Sequence, residues 1–246
     1  MIGITERGDA GLDFSWVKQI PALDFAVIIT KNLNDSFINH AINNKNKIIV
    51  HATITGHGGT ILEPYVPDTD WSISQLKKLV DLGFPVQQIV LRVDPIIPTD
   101  DGIKKAINVL EKASGIGIVR CRVSVMDMYR HVAIRFAKAG ISMPEYNLRA
   151  CYMNVAHELI PYMDRWEFEA CAEDFPFKLG CISQKDADIL GSKVKLMGSS
   201  GQRRGCLCPA NKTELLSNKS QCYHRCLYCY WPYEYSDRKE QTNEQT

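Results

Sequence analysis

A cysteine-rich segment near the end of the chain carries the residues best suited to chemistry. It begins with Cys206-Leu-Cys208-Pro. Thirteen residues lie between Cys208 and Cys222, and the segment then continues as Cys222-Tyr-His-Arg-Cys226-Leu-Tyr-Cys229. Five of the nine cysteines of the chain fall in this segment. Thiolates at such short spacings can surround one soft metal centre, because a tight loop brings their sulfur atoms together. The spacing predicts a metal site, with Cys222, Cys226 and Cys229 as its ligands.

The same spacing separates two hypotheses about the metal. Structural zinc usually takes four ligands, often as two Cys-x2-Cys pairs. Here the pattern is Cys-x3-Cys-x2-Cys, with three ligands and with Tyr228 directly before the last one. This favours an iron–sulfur cluster. The alternative is a non-catalytic module in which Cys206, Cys208 and two or three other cysteines bind structural zinc while a basic, aromatic surface binds nucleic acid. In that module the loss of Cys206 or Cys208 abolishes metal binding and folding.

The three-cysteine pattern with its aromatic residue resembles the cluster loop of radical S-adenosylmethionine enzymes. The resemblance implies that Cys222, Cys226 and Cys229 hold a [4Fe–4S] cluster whose fourth iron binds S-adenosylmethionine. It also implies an electron donor such as flavodoxin or ferredoxin, and a 5′-deoxyadenosyl radical that abstracts hydrogen from a substrate. The fold that it implies is a partial, parallel βα barrel. A degenerate barrel that binds the cluster without S-adenosylmethionine, and only transfers electrons, is a third hypothesis.

A second resemblance covers nearly the whole chain. The family is domain of unknown function eighteen-forty-eight, which is similar to radical S-adenosylmethionine proteins near spore photoproduct lyase. The matching stretches are Thr30-Lys31-Asn32, Thr53-Ile-Thr55-Gly56, Glu63-Pro64, Arg92-Val-Asp94-Pro95-Ile96, Ser124 to Tyr129, Cys171-Ala172-Glu173, Gly180-Cys181-Ile182, and the final Cys-x-Cys with Cys-x3-Cys-x2-Cys-Tyr. Several matches in one order indicate a true relationship.

The chain departs from radical S-adenosylmethionine enzymes in the position of the cysteine loop. In those enzymes the loop follows the first strand, whereas here it lies near the C-terminus. The barrel could therefore be circularly permuted, with a last strand such as Lys193–Met197 beside the first. The glycine motif that usually holds the S-adenosylmethionine amino group has no clear match. We look for residues that take over this role among Glu6, Arg7 and Asp9. In this stretch the domain of unknown function eighteen-forty-eight family usually has Ser-Arg-Arg-Thr-Asp.

Short apolar runs rich in valine and isoleucine alternate with helical stretches along the first part of the chain. Continuous hydrophobicity of this kind suits strands buried on both faces. Two of the helices are predicted over Ser72–Leu82, with an Asp70/Ser72 cap, and over Gly102–Lys112, after Asp100 and Asp101. The βα alternation predicts an α/β fold with a mostly parallel sheet. The predicted strands are Gly3–Thr5, Phe25–Thr30, Ile48–Thr55, Gln88–Val93, Ile118–Met126 and Phe168–Ala172.

Polar residues follow the predicted strands and favour an open, partial parallel βα barrel over a doubly wound sheet. In parallel barrels, catalytic groups converge at the carboxyl ends of the strands. We assign Asp94 and Glu173, with Cys206 and Cys208, as catalytic candidates. The candidates for cofactor binding are Tyr228, Arg7, Lys31 and Arg92. The residues at the strand ends are Glu6, Arg7, Asp9, Thr30, Lys31, Asn32, Thr53, Thr55, His57, Arg92, Asp94, Ser124, Asp127, Glu173 and Asp174.

Each candidate also has a structural interpretation. Arg92 and Asp94 lie two apart on a strand and point to the same side, so they either grip an S-adenosylmethionine carboxylate or a substrate phosphate, or form a structural ion pair. Lys31, Arg122 and Glu173 leave the same choice open.

The remaining cysteines and the histidines are weighed in the same way. Cys206 and Cys208 could ligate an auxiliary centre, supply a redox thiol or only pin the loop. Core packing is the favoured interpretation of Cys171 and Cys181, and Cys121 and Cys151 are read as core. His51 and His57 are favoured as structural or supporting residues.

Aromatic and basic side chains surround the cysteine loop. They suit a nucleotide or nucleic-acid substrate, but they equally suit shielding of the cluster, stacking of adenine and compensation of negative charge. They are Tyr228, Tyr230, Trp231, Tyr233 and Tyr235, and Arg203, Arg204, Lys212, Lys219, His224 and Arg225.

Composition sets the broad class. The 29 lysines and arginines nearly balance the 28 aspartates and glutamates, so no global basic field indicates nucleic acid. The first residues lack an apolar signal region and no run of eighteen apolar residues follows, which predicts a cytoplasmic protein with no membrane partner and with reduced thiols. We expect a partial barrel over residues 1–192, a cysteine-rich cap over 193–235 and a flexible polar tail over 236–246.

Overall fold

A seven-stranded parallel sheet forms the centre of the part of the chain that the structure describes. The computed structural model describes residues 1–142, 147–201, 205–217, 222–231 and 233. Along the sheet the strands follow the order β6-β5-β4-β3-β2-β1-β7, and every neighbouring pair is parallel. The strands are β1 (Ile2–Ile4), β2 (Phe25–Thr30), β3 (Ile48–Thr53), β4 (Ile89–Ile96), β5 (Arg120–Val125), β6 (Glu167–Glu169) and β7 (Lys212–Glu214).

Helices connect most of these strands in the βα alternation that the sequence predicts. The helices are α1 (Asp35–Asn43), α2 (Thr69–Asp81), α3 (Asp100–Ser114), α4 (Arg130–Lys138), α5 (Leu148–Leu159) and α6 (Gln184–Ile189). Short 3-10 turns span Val17–Ala22, Val86–Gln88 and Ile160–Tyr162. Six strands lie where the apolar runs predict them, so the α/β class and the parallel sheet are confirmed. None of the helices in the described residues combines the length and the apolarity needed to span a lipid bilayer.

The predicted helix starts need correction. Helix α2 begins at Thr69, and its cap is Asp68, whose carboxylate accepts a hydrogen bond of 2.8 Å from the backbone nitrogen of Trp71. The predicted Asp70/Ser72 cap is wrong, because both residues already lie inside the helix and a cap residue needs extended backbone. Helix α3 is capped in the same way by Thr99.

The last strand also differs from the expectation. A strand from the C-terminal segment does lie beside β1, but it is β7, paired in register from Ile2 with Lys212 to Ile4 with Glu214. The segment Lys193–Met197 is irregular. Its Val194 and Leu196 pack on the face of the sheet, so the apolar residues that suggested a strand cover the sheet and do not extend it.

The two faces of the sheet are covered differently. Helices α1, α2, α3 and α5 bury one face in the main core, with Phe37, Leu79 and Val109 among the buried residues. On the opposite face, called here the inner face, Ile182 and Ala187 pack on the first strands. Both belong to the α6 segment, by which we mean α6 and the few residues before it. The inner face is apolar on β1 and β2, and it carries charged residues on β4 (Arg92, Asp94) and along β5 (Arg120, Arg122).

A buried ion cluster holds the α6 segment against the inner face. Arg120 of β5 donates to Glu169 of β6 at 2.9 Å and to Asp186 of α6 at 2.8 Å. Arg122 donates to Glu169 at 2.5 Å and to the backbone oxygen of Leu179 at 3.0 Å. All four charged side chains are buried, and each forms an ion pair with another of the four. These pairs hold the chain from Leu179 to Asp186 against the inner face of β5 and β6.

Candidate functional site

The cysteine loop, residues 222–229, lies across the carboxyl ends of the central strands. Leu227 donates its backbone N–H to the oxygen of Leu62, which follows β3, at 2.9 Å. Cys226, Leu227 and Tyr228 are buried in an apolar cluster with Ile97 and Met126, which follow β4 and β5. The loop is therefore held at the edge where the polar strand-end residues converge.

Helix α4 anchors the far end of the cysteine loop through one arginine. The buried Arg135 donates to the backbone oxygen of Trp231 at 3.2 Å and to that of Cys229. Its guanidinium also lies 4.2 Å from the ring centroid of Tyr233. Arg135 was not predicted from the sequence, because nothing in the pattern of α4 marks an inward-facing arginine as a loop anchor.

A buried lysine and glutamate lie beneath the loop. The Nζ atom of Lys31, after β2, donates to Glu63 at 2.7 Å and to the hydroxyl of Tyr228 at 3.0 Å. The Tyr228 hydroxyl itself donates to Glu63. The structure thus brings together the predicted cofactor-binding residues Lys31 and Tyr228. It adds Glu63, which the family resemblance marked but which was not predicted as a site residue.

The charges of this group are fixed by their contacts. Burial alone would raise the pKa of Glu63, but the Lys31 ammonium and the hydrogen bonds from Lys31, Tyr228 and Thr55 hold it below its ordinary value. Burial would lower the pKa of Lys31, but Glu63 and then Cys226 raise it. Both groups are therefore charged at neutral pH, and Lys31 directs a buried positive charge toward the Cys226 thiol.

A second buried pair joins the loop to the end of β1. His224 lies with its Nε2 atom 2.8 Å from Asp9 and its Nδ1 atom 3.0 Å from the backbone oxygen of Tyr65. Because both neighbours are acceptors, both ring nitrogens carry protons and the ring is an imidazolium. Burial would lower the pKa of His224, but the Asp9 carboxylate raises it. Thr30 and the backbone N–H of Lys31 also donate to Asp9, at 2.5 and 2.6 Å.

The three loop thiols are protonated in the metal-free chain at neutral pH. Burial raises the pKa of Cys222 to about 12, and burial together with Glu63 raises that of Cys226 well above its usual value. Burial likewise raises the pKa of Cys229. A bound metal would displace these protons, because the thiolate is the form that binds. The donor set therefore fits a soft metal centre, with Lys31, Arg135 and His224 near it as positive charges.

Three other cysteines form a tighter group. The Sγ atoms of Cys171, Cys181 and Cys208 all lie within 4.8 Å of one another, and those of Cys171 and Cys208 are 3.8 Å apart. Such a group could hold a metal ion. Cys206 packs in the same buried cluster. The cysteine trio, as we call Cys171, Cys181 and Cys208, lies in a buried hydrophobic cluster, as core packing predicts for Cys171 and Cys181, and it also brings the three thiols close enough to share a metal ion.

The thiols of the trio share hydrogen bonds. The pKa of Cys181 is well below its usual value because the Cys171 and Cys208 thiols donate to it and because Arg122 and Arg92 lie near. The contact with Cys181 raises the pKa of Cys171 to about 11, and the contacts with Cys171 and then Cys181 raise the pKa of Cys208. Cys181 is thus the first of the three to become a thiolate.

The inner face between the loop and the trio carries the predicted Arg92 and Asp94. Their side chains form an ion pair, and the Ser124 hydroxyl donates to Asp94. Burial would raise the pKa of Asp94, but Arg92 and Ser124 hold it below its ordinary value. His51 lies on the same face, buried, and neither of its ring nitrogens has a hydrogen-bond partner within the described residues. Burial, Arg122 and Arg92 lower its pKa, so the ring is neutral.

The other predicted site residues lie farther out. Arg7 is exposed, with its guanidinium 5.9 Å from the ring centroid of Trp231. Glu173 is buried and its carboxylate accepts from the backbone nitrogen of Val125 at 3.4 Å. Lys212, one of the predicted basic residues, pairs with Glu6 at 2.8 Å. Arg203, Arg204, Lys219, Tyr235 and the predicted tail over 236–246 lie outside the described residues.

A groove of about 380 Å³ opens beside the cysteine loop. Its wall includes Cys222 and the half-buried Asp13, whereas the carboxylate of Asp9, also in the wall, is already paired with His224. The full lining is Gly8, Asp9, Leu12, Asp13, Phe14, Ser217, Cys222 and Tyr223.

Comparison with known proteins gives one match. The family model described as "Domain of unknown function (DUF1848)" matches residues 16–231, a range that includes both groups of cysteines and all the strands except β1. No curated protein and no solved structure matches the chain. The activity must therefore be argued from the site.

Proposed function

The chain belongs to this family of unknown function, and we propose from its site that it is a radical S-adenosylmethionine enzyme. The proposed fold is a circularly permuted partial βα barrel. Cys222, Cys226 and Cys229 are the proposed ligands of a [4Fe–4S] cluster. The observation that carries the proposal is the position of the cysteine loop. It follows β7, which lies beside β1, and it crosses the carboxyl ends of the central strands.

The strand order supports the permuted barrel. Reading from β7 through β1 to β6, each strand pairs with the next one in a single direction, which is the order of a barrel that winds without reversal. In that order the cysteine loop follows the first strand in space although it lies near the end of the sequence. This is the position that the loop has in the enzymes that it resembles.

The surroundings of the loop fit the cluster. Three thiolates bring negative charge, and the Arg135 guanidinium, which donates to backbone oxygens of the loop region, lies beside them. Lys31 and the His224 imidazolium also lie near, each paired with a carboxylate.

When bound, such a cluster supplies the electron that cleaves S-adenosylmethionine to a 5′-deoxyadenosyl radical, with flavodoxin or ferredoxin as the kind of protein that reduces it. The chain's own residues position the reactants and exclude water. The buried side chains of Leu227 and Tyr228 in the loop pack with Ile97 and exclude water from the side of the loop that faces the sheet. The half-buried Asp13 in the groove beside Cys222 is suited to the ammonium group of the cofactor.

The substrate would lie on the inner face of the sheet. Arg92 with Asp94 offers a charged hydrogen-bonding pair there, and the neutral, unpartnered ring of His51 offers one donor and one acceptor. These groups suit a polar, anionic substrate such as a nucleotide, with Tyr230 exposed near the loop for stacking. We keep the substrate class at nucleotide or nucleic acid.

The test is metal analysis and spectroscopy on protein purified without oxygen. We expect about four irons per chain bound at the loop, and an electron paramagnetic resonance signal of the reduced protein that changes when S-adenosylmethionine is added. Cys226→Ser should lose this iron, and Cys151→Ser, a change at a half-buried cysteine far from the loop, should keep it. Protein without iron, or a signal indifferent to S-adenosylmethionine, contradicts the proposal.

The zinc hypothesis for the same segment takes a different form in this geometry. Cys206 and Cys208 group with Cys171 and Cys181 and not with the cysteine loop. A zinc ion held by them would therefore leave Cys222, Cys226 and Cys229 free for the cluster.

A further inference from the structure

The cysteine trio joins the two edges of the open sheet. Cys171 follows β6, the strand at one edge, and Cys208 precedes β7, the strand at the other edge. Their Sγ atoms are nevertheless 3.8 Å apart. Since no hydrogen-bonded strand pair joins β6 to β7 in the described residues, the thiols are the place where the two edges meet.

The distances within the trio match one tetrahedral ion. Zinc–sulfur bonds of about 2.3 Å place two thiolates of a tetrahedron about 3.8 Å apart, which is the separation of Cys171 and Cys208. It is far longer than the roughly 2.05 Å of a disulfide bond. The geometry is thus that of several thiols around one small centre.

A fourth thiol lies in the same cluster. Cys206 is buried with Cys171 and Cys208, and the Ser200 hydroxyl is 3.3 Å from its Sγ atom. The backbone N–H of Cys181 donates to the Sγ atom of Cys208 at 3.2 Å, a contact that stabilises a thiolate. The group within 4.8 Å comprises Cys171, Cys181 and Cys208, and Cys206 from the same buried cluster would be the fourth ligand that closes the coordination of a structural zinc ion.

The backbone around the trio is shaped for this approach. Ala172, directly after Cys171, has a φ of 60°, a left-handed conformation that a non-glycine residue adopts only where its surroundings impose it. Gly180 precedes Cys181, and a Cβ atom there would lie 2.7 Å from the backbone oxygen of Leu207. Only glycine therefore lets the chain before Cys181 pass so close to the Cys206–Cys208 turn.

Positive charge surrounds the trio. Arg92 and Arg122 lie within electrostatic reach of the Cys181 thiol, and Lys212 of β7 lies within reach of Cys208 and Cys181. Four thiolates around a divalent ion carry a net charge of about −2, by simple addition of their charges. Each of these cations also pairs with a carboxylate, and each still lies near enough to the thiolates to favour their charged form.

From this geometry we propose that Cys171, Cys181, Cys206 and Cys208 bind one zinc ion. The ion links the segment that follows β6 to the segment that precedes β7, and it thereby joins the two edges of the sheet and closes the barrel. Binding releases the thiol protons to solvent and changes no oxidation state. The ion is structural. Its effect on the site is to hold β7, a three-residue strand with β1 as its neighbour in the sheet, and with it the start of the cysteine loop. This inference does not depend on the radical chemistry.

The first experiment counts zinc and iron in the same samples. We expect about one zinc per chain in the wild type, as a closed four-cysteine site holds one ion. Cys208→Ser and Cys171→Ser should each lose the zinc. The control Cys151→Ser should keep it. A variant with Cys222, Cys226 and Cys229 all changed to serine should keep the zinc and lose the iron, so failure at one centre is separable from failure at the other.

The second experiment needs no variant and keeps the proposal testable if Cys208→Ser does not fold. X-ray absorption at the zinc edge of wild-type protein should give four sulfur neighbours at about 2.3 Å. Cobalt taken up in place of zinc should give the charge-transfer and ligand-field bands of a tetrahedral thiolate site. Wild-type protein without zinc, zinc bound through nitrogen or oxygen, iron in this site, or a disulfide between Cys171 and Cys208 would each overturn the assignment.

Discussion

Lys31 is the residue on which the buried charges below the cysteine loop depend. Its ammonium is the partner of Glu63, and the two side chains are 15% and 1% exposed. Removal of one partner leaves an uncompensated charge in the interior, which is far more destabilising than loss of a surface pair. The interaction therefore belongs to both the stability of the fold and the electrostatics of the site.

We expect Lys31→Met to lower the free energy of unfolding by about 3 kcal/mol, the lower end of the range for a broken buried pair, because the Lys31 side chain keeps some exposure. Glu63→Gln should have a similar effect, and the double variant should lose less than the sum, with a coupling of about 1–3 kcal/mol. Denaturant unfolding measures all three. The control is Lys78→Met, which breaks an exposed pair with Asp35 and should change stability by less than about 1 kcal/mol. Additive effects of Lys31→Met and Glu63→Gln would contradict the coupling.

Glu63 also makes stability depend on acid. Its folded pKa lies below the ordinary value of 4.5, so the unfolded chain takes up the proton first as the pH falls. The stabilisation is complete above about pH 4.5 and is lost progressively below it, toward the folded pKa. We expect the free energy of unfolding of Glu63→Gln to fall less steeply with acid than that of the wild type, in denaturant titrations at a series of pH values. Equal slopes would show that Glu63 is not the group responsible.

The residues of the two cysteine groups differ in how far sequence alone could find them. Cys222, Cys226 and Cys229 lie within one short loop, so their spacing in the sequence was enough to predict a shared site. Cys171 and Cys181 lie ten positions apart and far from Cys208 in sequence, and only the folded chain brings the three together. Glu63 and Arg135 were missed for the same reason: each is a single charged residue whose partners are distant in the chain.

At the scale of elements, helix α4 stands out as the support of the cysteine loop. Arg135 donates to two backbone oxygens of the loop region, and Val132 and Phe136 of the same helix pack in the apolar cluster with Cys226. A helix fixed by its own packing thus fixes the loop. Hydrogen bonds from a charged donor to buried oxygens are typically worth about 1.5–3 kcal/mol.

We expect Arg135→Ala to release the end of the cysteine loop while the sheet stays folded. The iron retained by protein purified without oxygen should fall several-fold, and the far-UV circular dichroism spectrum should stay that of the wild type. Arg130→Ala, at an exposed position of the same helix, is the matched control and should retain the iron. Full iron retention in Arg135→Ala would exclude the anchoring role.

Strands with apolar runs were predictable and the strand without one was not. Phe25–Thr30 is buried along most of its length, and its sequence predicts both its bounds and its burial on both faces. The residues of β7 are Lys212, Thr213 and Glu214, which carry no apolar signal because this strand lies at an edge. Lys193–Met197 has the alternating pattern of a strand, yet its apolar side chains cover the face of the sheet.

At the scale of the whole molecule, the strand order decides what kind of rearrangement the chain tolerates. The unit formed by β7 and the cysteine loop is last in sequence but lies beside β1 in the sheet. If the fold is a permuted barrel, this unit can be moved to the front without a change in the contacts of the sheet. A parallel connection from the loop back to β1 needs about a dozen residues, and residues 234–246 with a short Gly/Ser linker provide that length.

We therefore expect a chain that runs 193–246, linker, 1–192 to fold and to retain the metals of the original chain. Its circular dichroism spectrum should match the wild type, and its iron and zinc contents should be unchanged, because Cys171, Cys181, Cys206 and Cys208 still meet between the two edges of the sheet. The control opens the chain between Ile49 and Val50, inside the buried β3, and should not fold, because it cuts a central strand. A rearranged chain that folds but binds neither metal would mean that the junction near residue 192 holds the cysteines in place. A rearranged chain that fails to fold, as the control does, would contradict the permuted barrel itself.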